Sequence, residues 1–170
     1  MSASETKRSE AAEAAAKLRV NEQKWTKTLM DPGWTVIPNV IIERQKALGL
    51  DALDMNILLH LAAYWWTPDN LPHPSKKTIA EAIGVEPRTV QRRIAAMEAV
   101  GLIRREERRI SAKGSTTNRY HFAGLIKEAT PFAQEMSREI AARAEEKKAR
   151  IARKGRPLLH VVKEDEGEDE

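Results

Sequence analysis

The chain has 170 residues, of which 41% are hydrophobic and 32% are charged, and it carries a formal net charge of +4. This length predicts one domain with extensions, and the absence of cysteine excludes a disulfide scaffold, thiolate metal sites and cysteine nucleophiles. No apolar run approaches the roughly 20 residues that span a bilayer. We therefore expect a cytoplasmic protein with no membrane partner.

The basic charge is concentrated in the middle of the chain. Residues 71–127 contain 12 Lys and Arg against 5 Asp and Glu, whereas residues 164–170 contain six acids and no base. A basic middle favours a polyanionic partner. The alternative is an ordinary solvated surface followed by a disordered acidic end, and charge alone does not decide between the two.

The first 50 residues predict an arm and two short elements. Residues 1–33 are helix-prone, but their apolar positions are so sparse that a helix here needs a packing partner. Residues 34–37 are β-prone and predict a short strand that ends at Pro38. A short helix follows and is expected to end at Gly49.

Local signals place the remaining elements. Asp51 and Ser75 are good N-caps for two successive helices, Gly84 suits a left-handed turn, and Pro87 suits the first turn of the helix after it. The elements predicted after residue 50 are, in order, helix 51–66, loop 67–74, helix 76–83, helix 87–100, strand 102–110, turn 111–117, strand 118–123 and a last helix that starts at Thr130-Pro131 and runs to 154.

The helix predicted for residues 87–100 has one apolar side and one basic side. Val90, Ile94 and Met97 recur at i, i+4 and i+7 and define the buried side. The opposite side carries Arg88 and Arg92, followed by small alanines. Such a face suits the DNA major groove, which admits one helix and in which arginine bonds guanine and glutamine bonds adenine. An amphipathic surface helix with ordinary charges is the alternative.

Residues 75–103 carry a family resemblance. Their pattern is Ser75, Ile79, Ala80, Ile83, Gly84, Val85, Thr89, Val90, Ile94, Met97, Gly101, Leu102 and Ile103. It resembles bacterial winged helix-turn-helix DNA-binding domains, above all those of phage and plasmid replication proteins, and it is similar to the domain of GntR-type regulators. Glu86-Pro87 departs from the family pattern, in which a serine cap is more usual.

The resemblance covers about residues 34–123 and implies the fold class. We expect a mainly α protein with a small β-hairpin wing, in which N- and C-terminal helical extensions flank a winged helix-turn-helix. The domain boundaries that follow are an N-terminal helical arm (1–33), the winged helix-turn-helix domain (34–123), a C-terminal helix (124–154) and an acidic disordered tail (155–170).

The resemblance also implies contacts with DNA for three groups of residues. Base contacts would be made by Arg88, Thr89, Gln91 and Arg92. Backbone contacts would be made by Arg93 and, at the start of the preceding helix, by Lys76, Lys77 and Thr78. Wing contacts with the backbone or minor groove would be made by Lys113, Ser115, Thr116 and Arg119. Simple solvation of these basic and polar residues is the alternative.

No pattern of catalytic residues is found in the sequence. Its four histidines are scattered, and it has neither a zinc-protease motif nor a phosphate-binding glycine-rich loop. We therefore expect a non-enzyme without a cofactor or a metal.

The leading hypothesis is a transcriptional regulator of the bacterial nucleoid that binds double-stranded DNA sequence-specifically. The alternatives are a replication initiator or a plasmid or phage maintenance protein that binds an origin, and a protein–protein adaptor that uses the winged fold. Apolar residues at i+4 steps in the last helix suit packing on the same chain or on a twin helix. We favour a homodimer through helix 131–154 or the N-terminal arm.

Overall fold

A computed structural model describes residue 16 and residues 18–111, 114–115 and 117–153. Lys113, Thr116, the acidic tail and most of the first half of the arm lie outside the described residues. The described elements are α1 (residues 18–25), α2 (Lys27–Met30), α3 (Asn39–Glu43), α4 (Ala52–Ala63), α5 (Lys76–Ile83), α6 (Pro87–Ala99), β1 (Arg104–Glu106), β2 (Arg109–Ser111), β3 (Gly114–Ser115), β4 (Arg119–His121) and α7 (Ala123–Ala152).

The strand predicted for residues 34–37 is wrong. Residues 33–38 belong to no regular element, and Trp34 and Val36 are exposed. A β-prone run forms a strand only where a neighbouring strand takes up its hydrogen bonds, and no described strand lies beside this segment. Pro38 instead precedes α3 as its N-cap residue.

The N-terminus of α4 is held by a reciprocal cap. The Asp51 carboxylate accepts hydrogen bonds from the N–H groups of Leu53 and Asp54, both at 2.9 Å, and the Asp54 carboxylate accepts one from the Asp51 N–H at 3.2 Å. This arrangement satisfies backbone donors that a helix start leaves free. The helix ends at Ala63, three residues earlier than predicted.

Helices α5 and α6 form the predicted helix-turn-helix. The Ser75 hydroxyl accepts the Thr78 N–H at 2.9 Å and so caps α5. Gly84 adopts a φ of 79° in the turn, a backbone conformation that glycine takes without steric strain. Pro87 opens α6 as predicted.

The hydrophobic core lies beneath α6. Val90, Ile94 and Met97 are buried, which confirms the apolar side predicted for this helix. They pack with residues of α4, α5, the base of the wing and the start of α7, among them Leu58, Leu61, Ile79, Ile103, Tyr120 and Leu125.

The wing consists of two short antiparallel ladders rather than two long strands. β1 pairs with β4, with Arg105 opposite Tyr120, and β2 pairs with β3. Leu102 and Ile103, predicted as part of the first strand, are instead buried in the core ahead of β1. The Tyr120 N–H donates to the Pro72 carbonyl at 2.9 Å and ties the wing to the loop before α5.

The prediction that the last helix starts at Thr130-Pro131 is wrong. α7 starts at Ala123, directly after the wing, and continues through Pro131 to Ala152. The Leu125 N–H, one of the donors that a helix start leaves free, bonds the Leu102 carbonyl at 2.7 Å, and Leu125 and Ala129 are buried. This packing outweighs the loss of one hydrogen bond at the exposed proline.

Among the described residues, no helix is both long and apolar enough to cross a membrane.

Candidate nucleic-acid interface

A concave surface lies where α5 meets the N-terminal half of α6. Its volume is about 650 Å³, and it is lined by Lys76, Pro87, Arg88, Gln91, Arg92 and Ala95. The apolar residues of α6 point into the core, so that its polar and basic residues are left to form this surface. The helix-turn-helix packing therefore assembles the concavity from both helices.

Three of the four predicted base-contacting residues share this surface. Arg88, Gln91 and Arg92 are exposed and line the concavity. Within the described part of the chain, neither Arg88 nor Arg92 has an ion pair or a hydrogen bond, so both guanidinium groups are available to a ligand. Thr89 is only partly exposed and is not part of the lining.

Lys76 lies beside the predicted base-contacting residues. Its ammonium group donates a hydrogen bond to Gln91 Oε1 at 3.1 Å, which joins the start of α5 to the middle of the face of α6. The prediction assigned Lys76 to the DNA backbone and gave no link to Gln91. Sequence spacing does not reveal this contact, because the two residues are fifteen positions apart.

The other two residues predicted at the start of α5 lie outside the concavity. Lys77 is exposed and lies 3.7 Å from Glu81. The hydroxyl of Thr78 is within hydrogen-bond distance of the Ser75 hydroxyl, at 2.7 Å. Both residues therefore remain on the surface, next to the lining rather than in it.

Arg93, predicted to contact the DNA backbone, is not part of this lining and is instead ion-paired. Its Nη2 donates to Asp54 Oδ2 at 2.9 Å, its Nε lies 2.9 Å from Asp54 Oδ1, and it also contacts Asp51. Its side chain is only 27% exposed, and that of Asp54 only 9%. Arg93 therefore joins α6 to the capped start of α4.

The electrostatics of Asp54 explain why this ion pair matters. Burial raises the pKa of the Asp54 carboxyl above its ordinary value, because the ionised form loses water. The guanidinium of Arg93 opposes this effect by stabilising the anion. The sequence indicated Asp51 as a helix cap but gave no sign that Asp54 would bind an arginine.

The described part of the wing forms a small charged cluster. Glu106 lies 3.4 Å from Arg119 and 2.8 Å from Nε2 of His121. The hydrogen bond with His121, helped by the one from Arg119, holds the pKa of Glu106 below its ordinary value. Arg119 is thus ion-paired with the Glu106 carboxylate. Ser115 lies in β3, and Lys113 and Thr116 lie outside the described residues.

A second concavity connects α5 to the wing. It has a volume of about 440 Å³, and Lys76 and Ser75 line it on one side and Thr117 and Asn118 on the other. Lys76 lines both concavities, and the second lining also includes the acidic Glu107. Asn118 was not among the predicted contacts, although it directly precedes Arg119.

No group of three or more side chains suited to a metal ion is found among the described residues.

Comparison with known proteins agrees with this fold. Residues 48–103 match the family model of a helix-turn-helix domain. These residues include α4, α5 and α6, and the β1–β4 hairpin follows as the wing. The chain therefore contains a winged helix-turn-helix, and the predicted fold class is confirmed. A helix-turn-helix domain supports DNA binding. A search of curated proteins found no match.

Three solved structures are similar to the chain. The N-terminal domain of DnaD protein from Geobacillus kaustophilus is 18% identical, with 72% of this chain and 96% of that chain covered and a TM-score of 0.47. A possible transcriptional regulator from Methanosarcina mazei is 16% identical, with 64% of this chain and 85% of that chain covered and a TM-score of 0.38. The transcriptional regulator PA3341 is 20% identical, with 82% of this chain and 96% of that chain covered and a TM-score of 0.37.

Proposed function

We propose that this protein binds double-stranded DNA sequence-specifically and acts as a transcriptional regulator. One observation carries the proposal: Arg88, Gln91 and Arg92 share an exposed concave face of α6, and neither arginine has a partner among the described residues. Charges left unpaired on a structured concave surface suit an anionic partner.

The size and chemistry of this face fit the DNA major groove. The groove is about 12 Å wide and admits one α-helix. The N-terminal residues of a recognition helix contact base edges, and Arg88 and Arg92 lie in the first two turns of α6. Lys77 is exposed just outside the concavity and remains a proposed contact with the phosphate backbone. Arg119 and the wing residues Lys113, Ser115 and Thr116 remain proposed contacts.

A matched pair of arginine variants tests this proposal. Arg92→Ala is expected to lower discrimination at one base pair by about 1–3 kcal/mol. Arg138→Ala removes the same charge from the exposed part of α7 and serves as the control. Binding to selected and random duplexes should be measured by fluorescence anisotropy at several salt concentrations. If Arg92→Ala keeps the parent's preference for the selected site, Arg92 does not contact a base.

The genomic position of the bound sites tests the regulatory role. Sites upstream of transcription units are expected for a regulator. Sites clustered at an origin would show a replication or maintenance role for the same face, and a chain that binds no duplex would favour an adaptor. Immunoprecipitation of the tagged protein with its DNA distinguishes these outcomes.

We also propose that the protein binds DNA as a homodimer. Ile140 and Ile151 are exposed on α7, and Trp25 and Leu29 are exposed in the described part of the arm. Helix-turn-helix proteins often use two-fold symmetry to bind two half-sites about 34 Å apart. Light scattering should give twice the chain mass, and Ile140→Glu should lower it. A monomeric mass both with and without DNA would refute this proposal.

A further inference from the structure

We propose that the base pairs read by α6 are centred on guanines, an inference that rests on the proposed function. The side chains on the lining that can form hydrogen bonds are Lys76, Arg88, Gln91 and Arg92. Lysine and arginine have donors only, and among the described residues no acidic side chain contributes to this lining. The face therefore suits the base edge that is richest in acceptors.

The orientation of the Gln91 amide follows from its bond to Lys76. A lysine ammonium group has three N–H donors and no acceptor, so the amide atom 3.1 Å away is the carbonyl oxygen, Oε1. The NH₂ group of Gln91 is then the end left for DNA. Gln91 therefore offers DNA a hydrogen-bond donor, as Lys76 and the two arginines do.

This arrangement disfavours adenine, which the sequence analysis predicted as the partner of Gln91. Glutamine binds adenine with both ends of its amide, because Oε1 accepts from N6 and the NH₂ group donates to N7. Gln91 Oε1 has a second lone pair, but the positively charged ammonium group of Lys76 lies 3.1 Å from it and would repel the adenine amino group that donates to the same oxygen. Guanine presents two acceptors, O6 and N7, and no major-groove donor.

The spacing of the two arginines indicates how far apart the guanines lie. Four residues of α-helix rise about 6 Å, which is close to two steps of about 3.4 Å in B-DNA. Arg88 and Arg92, each suited to bidentate bonding of guanine, would then contact guanines within about three consecutive base pairs. Gln91 adds a further donor within the same stretch.

Selection from a random duplex library with the full chain, followed by base analogues, tests this proposal. The selected sites are expected to share guanines within a short stretch. Replacing a contacted guanine by 7-deazaguanine removes N7 and should weaken binding about 5- to 150-fold. Inosine keeps N7 and O6 and is the matched control, for which affinity should change less than about twofold.

Two lysine variants test the role assigned to Gln91. Lys76→Met keeps an apolar stem but removes the hydrogen bond to Gln91 Oε1. The affinity for adenine relative to guanine at one position of the site should then rise by about fivefold or more. Lys77→Met removes the neighbouring exposed charge and should weaken all sequences alike. An unchanged base preference in Lys76→Met would overturn the role of this pair.

The outcomes also separate this inference from the proposed function. If the chain binds no duplex and enriches no site, then the proposed function fails. If it enriches a site without shared guanines, or if 7-deazaguanine is tolerated at every guanine, then DNA binding stands and the guanine inference is wrong.

Discussion

Replacement of Gly124 by alanine tests how closely α7 approaches the end of α6. Gly124 is the second residue of α7. Helix propensity alone predicts that alanine here stabilises the protein by up to about 1 kcal/mol. The tertiary structure predicts the opposite, because a Cβ at this position would overlap the Gly101 carbonyl oxygen and lie 2.9 Å from the Leu102 carbonyl oxygen. Whether Gly124→Ala raises or lowers the free energy of unfolding therefore shows which effect is larger.

The expected magnitude follows from the atoms that would be in the way. Both are backbone atoms, so no side-chain rotation can relieve the overlap. Gly101 holds a left-handed turn with a φ of 76°, and the Leu102 carbonyl accepts the Leu125 N–H at 2.7 Å. Overpacking costs about 1–3 kcal/mol and a lost hydrogen bond about 1 kcal/mol. After the gain in helix propensity of up to about 1 kcal/mol, Gly124→Ala should lower the free energy of unfolding by about 1–3 kcal/mol.

Urea denaturation followed by circular dichroism measures this change. Gln134→Ala, at an exposed position of the same helix, is the control and should stay within about 0.5 kcal/mol of the parent. The predicted loss is a large share of a stability that is typically about 5–15 kcal/mol. If Gly124→Ala is as stable as the parent or more stable, α7 does not start against the Gly101 turn.

Two further variants test the core and the proline. Ile94 is fully buried on the core side of α6, so Ile94→Ala should lower the free energy of unfolding by about 2–5 kcal/mol. Ile42→Ala, the same side-chain change at an exposed position of α3, is its control, and equal melting temperatures for the two would place Ile94 at the surface. Pro131 is exposed inside α7, so Pro131→Ala should stabilise the protein by about 1–3 kcal/mol in thermal unfolding. A lower melting temperature would argue against a continuous helix.

The helix-turn-helix could be predicted because its signals are local. A serine cap, a glycine in a left-handed turn and a first-turn proline each fix one boundary within a few residues, as Ser75, Gly84 and Pro87 do here. The buried side of α6 follows from a single helical period. For these elements, propensity, capping and packing all favour the same structure.

The errors occur where distant parts of the chain decide the outcome. The β-prone residues 34–37 have no strand beside them among the described elements, and sequence propensity cannot supply one. The start of α7 depends on the Leu102 carbonyl and on burial of Leu125, whereas Pro131 was the strongest local signal. The bond between Lys76 and Gln91 likewise depends on how two helices pack.

Arg92 and Arg93 show this limit most directly, because they are identical neighbours in different surroundings. Arg92 lines the concave face, and Arg93 is paired with Asp54. A helix turns about 100° per residue, so adjacent residues face different ways, but helical geometry alone does not place a carboxylate beside either one. Only the packing of α6 against the capped start of α4 supplies Asp54.

Alanine at each of these two positions should therefore affect different properties. Arg93→Ala leaves Asp54 buried without its partner and should lower the free energy of unfolding by about 1–3 kcal/mol, less than for a fully buried pair because Arg93 is 27% exposed. Arg92→Ala should leave the melting temperature unchanged while lowering DNA discrimination. Thermal unfolding and anisotropy should be measured on both variants. If the effects are reversed, or if Arg93→Ala melts like the parent, then α6 is rotated relative to the structure described here, and the face assigned to DNA is wrong.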